Sequence, residues 1–352
     1  MSEDGPIPVY FRCDGGREDG LGHLSRCLVL AERLGEDTGS APIFITYAPD
    51  GVGERFIEGR GFHSLPSPAP AGAAQDLASL RETLRQAGGR RPLLVIDSRR
   101  VDGAYVEACR REAFVACLDD EELRDLPCDL LINSHVWVTA ESYAPRAGRR
   151  VLAGADHNLI APDLFAGPKR PLADGGPLQV LVTLGGEDPH NHTAWVLANL
   201  GDLLLAHRVT VILGPAHPDP VAARRLAHDC LPSAEVVDSP SGLAHYISAA
   251  DLAITAGGIT CTELAAARVP QLAIVVEDHQ WPQVEALEAR GCLVALGSHA
   301  GLPRDEARRT LARFLGSSQA RGEMAEAAAA LFPESGVPRV CTAILRAYRE
   351  SD

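Results

Sequence analysis

The stretch RCDGGREDGLGHLSRCLVLAERL, Arg12–Leu34, leads from a short apolar strand through a glycine-broken loop into a helix. The strand begins upstream, in PVYFRC (Pro8–Cys13). Leu24, Cys27, Leu28, Ala31 and Leu34 recur at helical spacing and predict a helix from about His23 to Leu34. Glycine lets the backbone turn tightly and approach a ligand closely. His23 stands where loop meets helix. It reads either as a catalytic group beside a phosphate site or as a residue whose ring caps the helix start.

Two further stretches repeat this layout, LVTLGGEDPHN and AITAGGITCTE. Between them short apolar runs alternate with helical segments. APIFITY, PLLVIDS, AFVACLDD and DLLINS predict strands in the first half; QVLVTLGG, RVTVILGP, DLAITAGG and QLAIVVE predict them in the second. Continuous apolar strands of this kind are buried on both faces, as in parallel sheets. The composition turns to Pro, Gly and charge at FAGPKRPLADGGPL, and this stretch is the best linker in the chain. The expectation is an α/β protein of two doubly wound, Rossmann-like domains with ligands at the carboxyl ends of the strands, in a cleft between the domains. The segment after about Pro303 reads as helical and Ala-rich.

At 352 residues the chain is long enough for two cores. Its hydrophobic fraction of 46% and charged fraction of 23% are those of ordinary globular proteins. No apolar run is long enough for a membrane span, and MSEDGPIPVYF lacks the features of a signal peptide, so a cytoplasmic location is expected. Nine scattered cysteines without a CxxC pair fit reduced, buried thiols. His190 and His192 are the nearest approach to a metal cluster, and a solvated loop is the better reading of them; no metal and no cofactor is expected. A net charge of −14 disfavours nucleic acid as a partner, but a small anion can still be held locally at a helix N-terminus.

No loop matches GxxxxGK[ST], and Ser25 stands at the third glycine position of a GxGxxG pattern. Three strand–glycine–helix junctions nevertheless point to a nucleotide-type ligand. Glu263, five residues past Gly258, reads equally as an acid complementing the helix dipole and as an acceptor for a ribose diol.

Taken together, RCDGGREDGLGHLSRCLVLAERL, LDDEELRDLPCDLLINS, VTLGGEDPHNHT and AITAGGITCTELAAARVPQLAIVVEDHQ resemble the UDP-sugar hydrolase family of pseudaminic acid biosynthesis. That family is related to the GT-B glycosyltransferases. The resemblance spans roughly Phe11 to Gly291. It implies a GT-B-like fold: an N-terminal Rossmann-like domain on the sugar and catalytic side (1–165), a linker (166–177) and a nucleotide-binding domain (178–335), with a C-terminal helix (336–352) that either covers an outer face or crosses back to the first domain. It also implies metal-independent cleavage of the anomeric C–O bond of a UDP-linked or other NDP-linked sugar by water.

Carried onto this chain, the resemblance makes His23 the general base, with Asp14 orienting it or binding sugar hydroxyls, and gives His279 a place among the catalytic groups. Arg12 and Arg26 are candidates for steering the anion or, alternatively, surface salt-bridge partners, with Gly20 and Gly22 in the loop beside them. Gly185, Gly186, Gly257, Gly258, Ile259 and Thr260 would hold the diphosphate, and Glu263 the ribose. Gln280, Asp97, Asp119 and His157 complete the substrate-binding candidates. The chain departs from the family at three places. It has His279-Gln280 where the family has Asn-Gln, His157 at a tyrosine position, and DSRR (Asp97–Arg100) in place of DHYG. A changed sugar, or a changed fate for it, follows. The alternative to hydrolysis is a GT-B glycosyltransferase in which an acceptor hydroxyl replaces water; a sugar-nucleotide binding protein without catalysis is a third class.

Overall fold

The computed structural model describes residues 6–16, 20–120, 123–145, 148–166, 176–240 and 242–351. Most of the expected linker, 166–177, lies outside the described residues. The chain divides into two units, one formed by Met1–Ile160 with Ser335–Asp352 and the other by Ala161–Glu334.

In the first unit the strands are β1 (Val9–Cys13), β2 (Ile43–Thr46), β3 (His63–Pro66), β4 (Leu93–Asp97), β5 (Phe114–Leu118), β6 (Leu130–Asn133) and β7 (Arg150–Ala153). All pair in parallel, in the order β3-β2-β1-β4-β5-β6-β7. Helices α1 (Gly22–Thr38), α2 (Val52–Glu58), α3 (Ala74–Gln86) and α4 (Gly103–Arg110) connect them. β1, β4, β5 and β6 are buried along their whole length, as their apolar runs require.

The second unit carries β8 (Gln179–Thr183), β9 (Arg208–Leu213), β10 (Glu235–Asp238), β11 (Leu252–Ala256), β12 (Gln271–Val275) and β13 (Val294–Ser298) in the order β10-β9-β8-β11-β12-β13, again all parallel. Its helices are α5 (Asp163–Ala166), α6 (His192–Leu204), α7 (Pro220–Cys230), α8 (Ala244–Ala249), α9 (Ile259–Ala266), α10 (Trp281–Glu288), α11 (Arg304–Gly316) and α12 (Ser318–Leu331). The last helix, α13 (Val337–Ser351), belongs to the first unit and packs on α1 and β5. Tyr348 meets Phe114 edge-on and donates its hydroxyl to Arg91 O at 2.6 Å. No helix among the described residues is long and apolar enough to cross a membrane.

Two parallel, doubly wound α/β sheets are thus present, as the alternating pattern predicts. Each sheet reverses its strand order once: between β1 and β4 in the first unit, and between β8 and β11 in the second. At such a reversal the connecting loops leave in opposite directions and open a crevice at the carboxyl ends of the strands. The His23 loop follows β1, and Cys13 at the end of β1 pairs with Asp97 at the end of β4. The loops of Gly185–Gly186 and Gly257–Gly258 follow β8 and β11.

The loop after β1 is tightly packed. A Cβ on Gly53 of α2 would lie 2.2 Å from Gly15 O, a backbone atom that cannot swing aside. Gly316, at the end of α11, faces open space. Gly53→Ala is expected to lower the free energy of unfolding in urea by about 1–3 kcal/mol, the usual range for overpacking. Gly316→Ala should stay within about 0.5 kcal/mol of the parent.

Candidate functional site

The first turn of α1 presents His23, Arg26 and Cys27 on one face, since residues three and four apart are neighbours on a helix. That face lies over the end of β4. His23 Nδ1 is 2.8 Å from Asp97 Oδ1. Arg26 donates from Nε to Asp97 Oδ2 and from Nη2 to Asp97 Oδ1, both at 2.6 Å, and from Nη1 to Asp120 Oδ1, also at 2.6 Å. His23 is therefore not a helix cap: α1 starts at Leu21 without a side-chain cap, and the ring points to the carboxylate instead.

The proton on His23 can be placed. Nδ1 also lies 3.0 Å from Arg26 Nη2, but its nearer neighbour at 2.8 Å is Asp97 Oδ1, a carboxylate oxygen that only accepts. Nδ1 therefore carries a hydrogen that goes to Asp97, and in the neutral ring the lone pair is on Nε2. Nε2 faces Asp120 Oδ2 at 3.8 Å. Burial presses the ring toward its neutral form, yet the charge of Asp97, with its hydrogen bond and Asp120 behind it, wins and raises the His23 pKa above the ordinary value. Burial works against ionisation of Asp97 as well, but Arg26 and then His23 hold it at about 2. Asp120 overcomes its burial through Arg26, His135 and His23 and sits well below the usual carboxylate range.

Asp120 and His135 are absent from the candidates read from the sequence. Of the adjacent acids after β5, Asp119 was the expected site residue. Its side chain is instead buried and accepts from Arg124 N, Arg124 Nε and the Tyr143 hydroxyl at 3.0, 2.8 and 2.8 Å. Asn133 fixes the backbone of the next residue by donating to Asp120 O at 2.7 Å. Asp120 is thereby turned toward Arg26, with His135 Nε2 3.5 Å from its Oδ1. The doubled acid in LDDEE and the histidine closing INSH were the available signals.

Asp14 does not orient His23. It accepts from Arg12, from Tyr47 N at 2.8 Å and from Ala71 N at 2.7 Å, and so ties the loops after β2 and β3 to β1. Nor does Arg12 steer anions: its side chain is wholly enclosed and donates to Asp14, Asp76, Ile45 O and Ala69 O. Gly20, at a left-handed φ of 68°, accepts from Gly16 N at 3.2 Å and closes the loop, and Gly22 begins α1. His157 is half-buried after β7 and donates from Nδ1 to Ala153 O at 2.9 Å.

In the second unit Gly185 adopts φ 89°, and Gly186 O accepts from Ala216 N at 2.9 Å. Asp188 anchors α6 by accepting from His192 N and Thr193 N at 2.7 and 2.8 Å. The HNH stretch is thus only partly a solvated loop: His190 is exposed and stacks on His299, but His192 is buried. Gly257 is packed so closely that a Cβ would meet Val284 at 2.5 Å. Gln280 braces this corner and accepts from Val276 N at 3.1 Å. α9 opens at Gly258 without a side-chain cap, so Ile259 and Thr260 stand in an uncapped first turn, with half-buried Glu263 a turn further on. His279 is exposed on the turn after β12.

One atom each of His23, Asp97 and Asp120 lie within 4.8 Å of one another, as do Cys13, Cys27 and Asp97. The Arg26 guanidinium already bonds both carboxylates of the first group and supplies the positive charge there. The donor set therefore fits an arginine-balanced cluster better than a cation site.

No family model matches the chain. The chain is 24% identical over 353 residues to the spore coat polysaccharide biosynthesis protein SpsG of Bacillus subtilis, covering 98% of this chain and 99% of that one. Among solved structures it is similar to MurG of Acinetobacter baumannii (TM-score 0.64, 16% identity, 97% and 100% of the two chains). A glycosyltransferase from Rickettsia africae matches at TM-score 0.63, 11% identity and 98% of each chain. A UDP-N-acetylglucosamine 2-epimerase from Listeria monocytogenes matches at TM-score 0.65, 14% identity, 99% and 98%. The GT-B-like fold is shown by these full-length likenesses.

The expectation of hydrolysis is corrected by the same comparisons. Several solved chains matching over nearly their whole length, the Rickettsia africae enzyme, WaaG and CalG4 among them, are glycosyltransferases by name, and the pseudaminic acid hydrolase resemblance finds no support among the relatives reported.

The Asp97–Arg26 pair yields a test by pH. Its folded-state pKa lies below the ordinary carboxylate value of about 3.9, so ionised Asp97 stabilises the fold above pH ~4 and this is lost as pH falls toward 2. Asp97→Asn should be less stable than the parent at pH 7, by on the order of 2 kcal/mol, and the gap should close by pH 2. Urea midpoints across that range measure it; a constant gap would remove the ion pair as its cause.

Proposed function

We propose that the chain is a metal-independent GT-B-type glycosyltransferase that moves a sugar from a nucleoside diphosphate to an acceptor hydroxyl. The observation that carries this reading is the Asp97-held His23, with Nε2 as its free basic nitrogen, at the strand-order reversal of the first unit. In the transfer, Nε2 takes the acceptor's hydroxyl proton as its oxygen attacks C1. The C1–O bond to the diphosphate breaks, and its electron pair leaves with the nucleotide. Asp97 stabilises the imidazolium that forms and keeps the ring oriented, the division of labour familiar from histidine–carboxylate pairs.

The nucleotide is assigned to the second unit. The uncapped start of α9, after two glycines, offers backbone N–H groups and the positive end of the helix dipole to phosphate. Gly185 and Gly186 supply the neighbouring loop, and Glu263 the acceptor for ribose hydroxyls. The relative named for spore coat polysaccharide biosynthesis supports a carbohydrate acceptor.

Purified protein incubated with a panel of NDP-sugars should release nucleotide only when an acceptor is added. His23→Ala should lower that rate about a hundredfold or more. Release without an acceptor, or full activity in His23→Ala, would overturn the reading. Because the base form of His23 is required and its pKa is raised, the rate should climb with pH through a midpoint above the ordinary imidazole value of about 6.5.

A further inference from the structure

We propose that His135 is a positioning residue for His23, acting through Asp120: it holds one oxygen of that carboxylate while the other faces His23 Nε2. The inference rests on the reading of His23 as the base of the transfer and deepens it.

The geometry is a carboxylate between two imidazoles. His135 Nε2 is 3.5 Å from Asp120 Oδ1, and His23 Nε2 is 3.8 Å from Asp120 Oδ2. The carboxylate cannot drift. Its backbone carbonyl is held by Asn133 Nδ2, and its Oδ1 by Arg26 Nη1. All three groups keep a narrow opening to solvent: the side chains of His23, Asp120 and His135 are 14%, 9% and 19% exposed. The 3.8 Å gap to Nε2 is too long for a good hydrogen bond but well within Coulomb range. Asp120 is therefore placed to stabilise the imidazolium once Nε2 has taken a proton. A donor on the opposite oxygen draws charge away from that face, so His135 tempers the effect.

Among the described residues, the other charged groups that bear on Asp120 come from α1, β4 and its own loop. α1 supplies His23 and Arg26, and β4 supplies Asp97, which is itself bonded to both. On Asp120's own loop, Asp119 is paired with Arg124 and accepts from Tyr143. His135 is thus the titratable group whose removal changes Asp120 without breaking the Arg26 pairs.

The two substitutions should move His23 in opposite directions. Asp120→Asn removes an anion facing Nε2 and should lower the His23 midpoint by about one unit. His135→Gln replaces an imidazole that can bear positive charge with a neutral amide, leaves more of the Asp120 charge to act on His23, and should raise it by about half a unit. If His135 acts through Asp120, His135→Gln should add almost nothing in the Asp120→Asn background.

The measurement is an NMR titration of the His23 ring in the unliganded full chain, its signal assigned by loss in His23→Ala. His135→Asn serves as a second variant should His135→Gln fold poorly. Opposite shifts that collapse in the double variant support the proposal. An unmoved midpoint in the His135 variants, or an equal shift with and without Asp120, overturns it. Because no substrate is needed, this failure is distinct from a failure of acceptor-dependent transfer. Where transfer is measured, the acidic limb of kcat against pH should follow the same shifts.

Discussion

Arg26 bonds Asp97 with two nitrogens and Asp120 with a third, and the chemistry available at the first unit depends on that balance. Two buried carboxylates facing one imidazole would keep it an imidazolium far above neutral pH, useless as a base. A guanidinium never gives up its charge under these conditions, so it cancels one negative charge permanently. The remaining excess raises the His23 pKa above the ordinary value, and Arg26 works against that rise. Burial of such a cluster is tolerable only because every charge has a partner; removing one member of a buried pair typically costs about 3–5 kcal/mol. Cys13 and Cys27 fill the space behind it. Burial holds both thiols in the neutral form, so they pack against Asp97 without adding charge.

The place of this cluster follows from the sheet. Strands that reverse order leave a crevice at their carboxyl ends, and the register that pairs Cys13 with Asp97 brings the start of α1 directly over β4. The second unit repeats the device with different residues. There the reversal brings together two glycine loops and an uncapped helix start, a neutral frame suited to an anion. On the proposed reading one unit presents a proton acceptor and the other a phosphate cradle, although both arise from the same strand–glycine–helix motif.

This division was legible in the sequence to an uneven degree. The interior strands announced themselves as apolar runs. The four unannounced strands, β3, β7, β10 and β13, are the sheet edges, where only one neighbour covers the strand and polar residues are allowed. His23, Arg26 and Asp97 were readable because strand ends and helix starts are local features. Asp120 was passed over for Asp119 because the two differ only in which way a loop turns, and Asn133 and Tyr143, far along the chain, decide that. Arg12 read as a candidate for steering an anion because its enclosure, completed by Asp76 64 residues away, is not a local feature. The fate of the sugar was least readable, since water and an acceptor hydroxyl make the same demands on a base.

Two buried arginine networks stand side by side at the ends of β1 and β4, and comparing them separates framework from chemistry. Arg12, Asp14 and Asp76, with Tyr105 donating to Asp76, form a sealed set whose every bond ties strands and loops together. No group in it has a free basic atom facing outward. The Arg26 network is built from the same residue types, yet its two histidines keep part of their rings in reach of solvent. An arginine–carboxylate cluster alone fixes geometry. On the proposed reading, adding a partly exposed imidazole turns that geometry into a means of moving a proton. The sealed network makes this possible by fixing the loops after β2 and β3 around Asp14, so that α1 can hold His23 rigidly against Asp97.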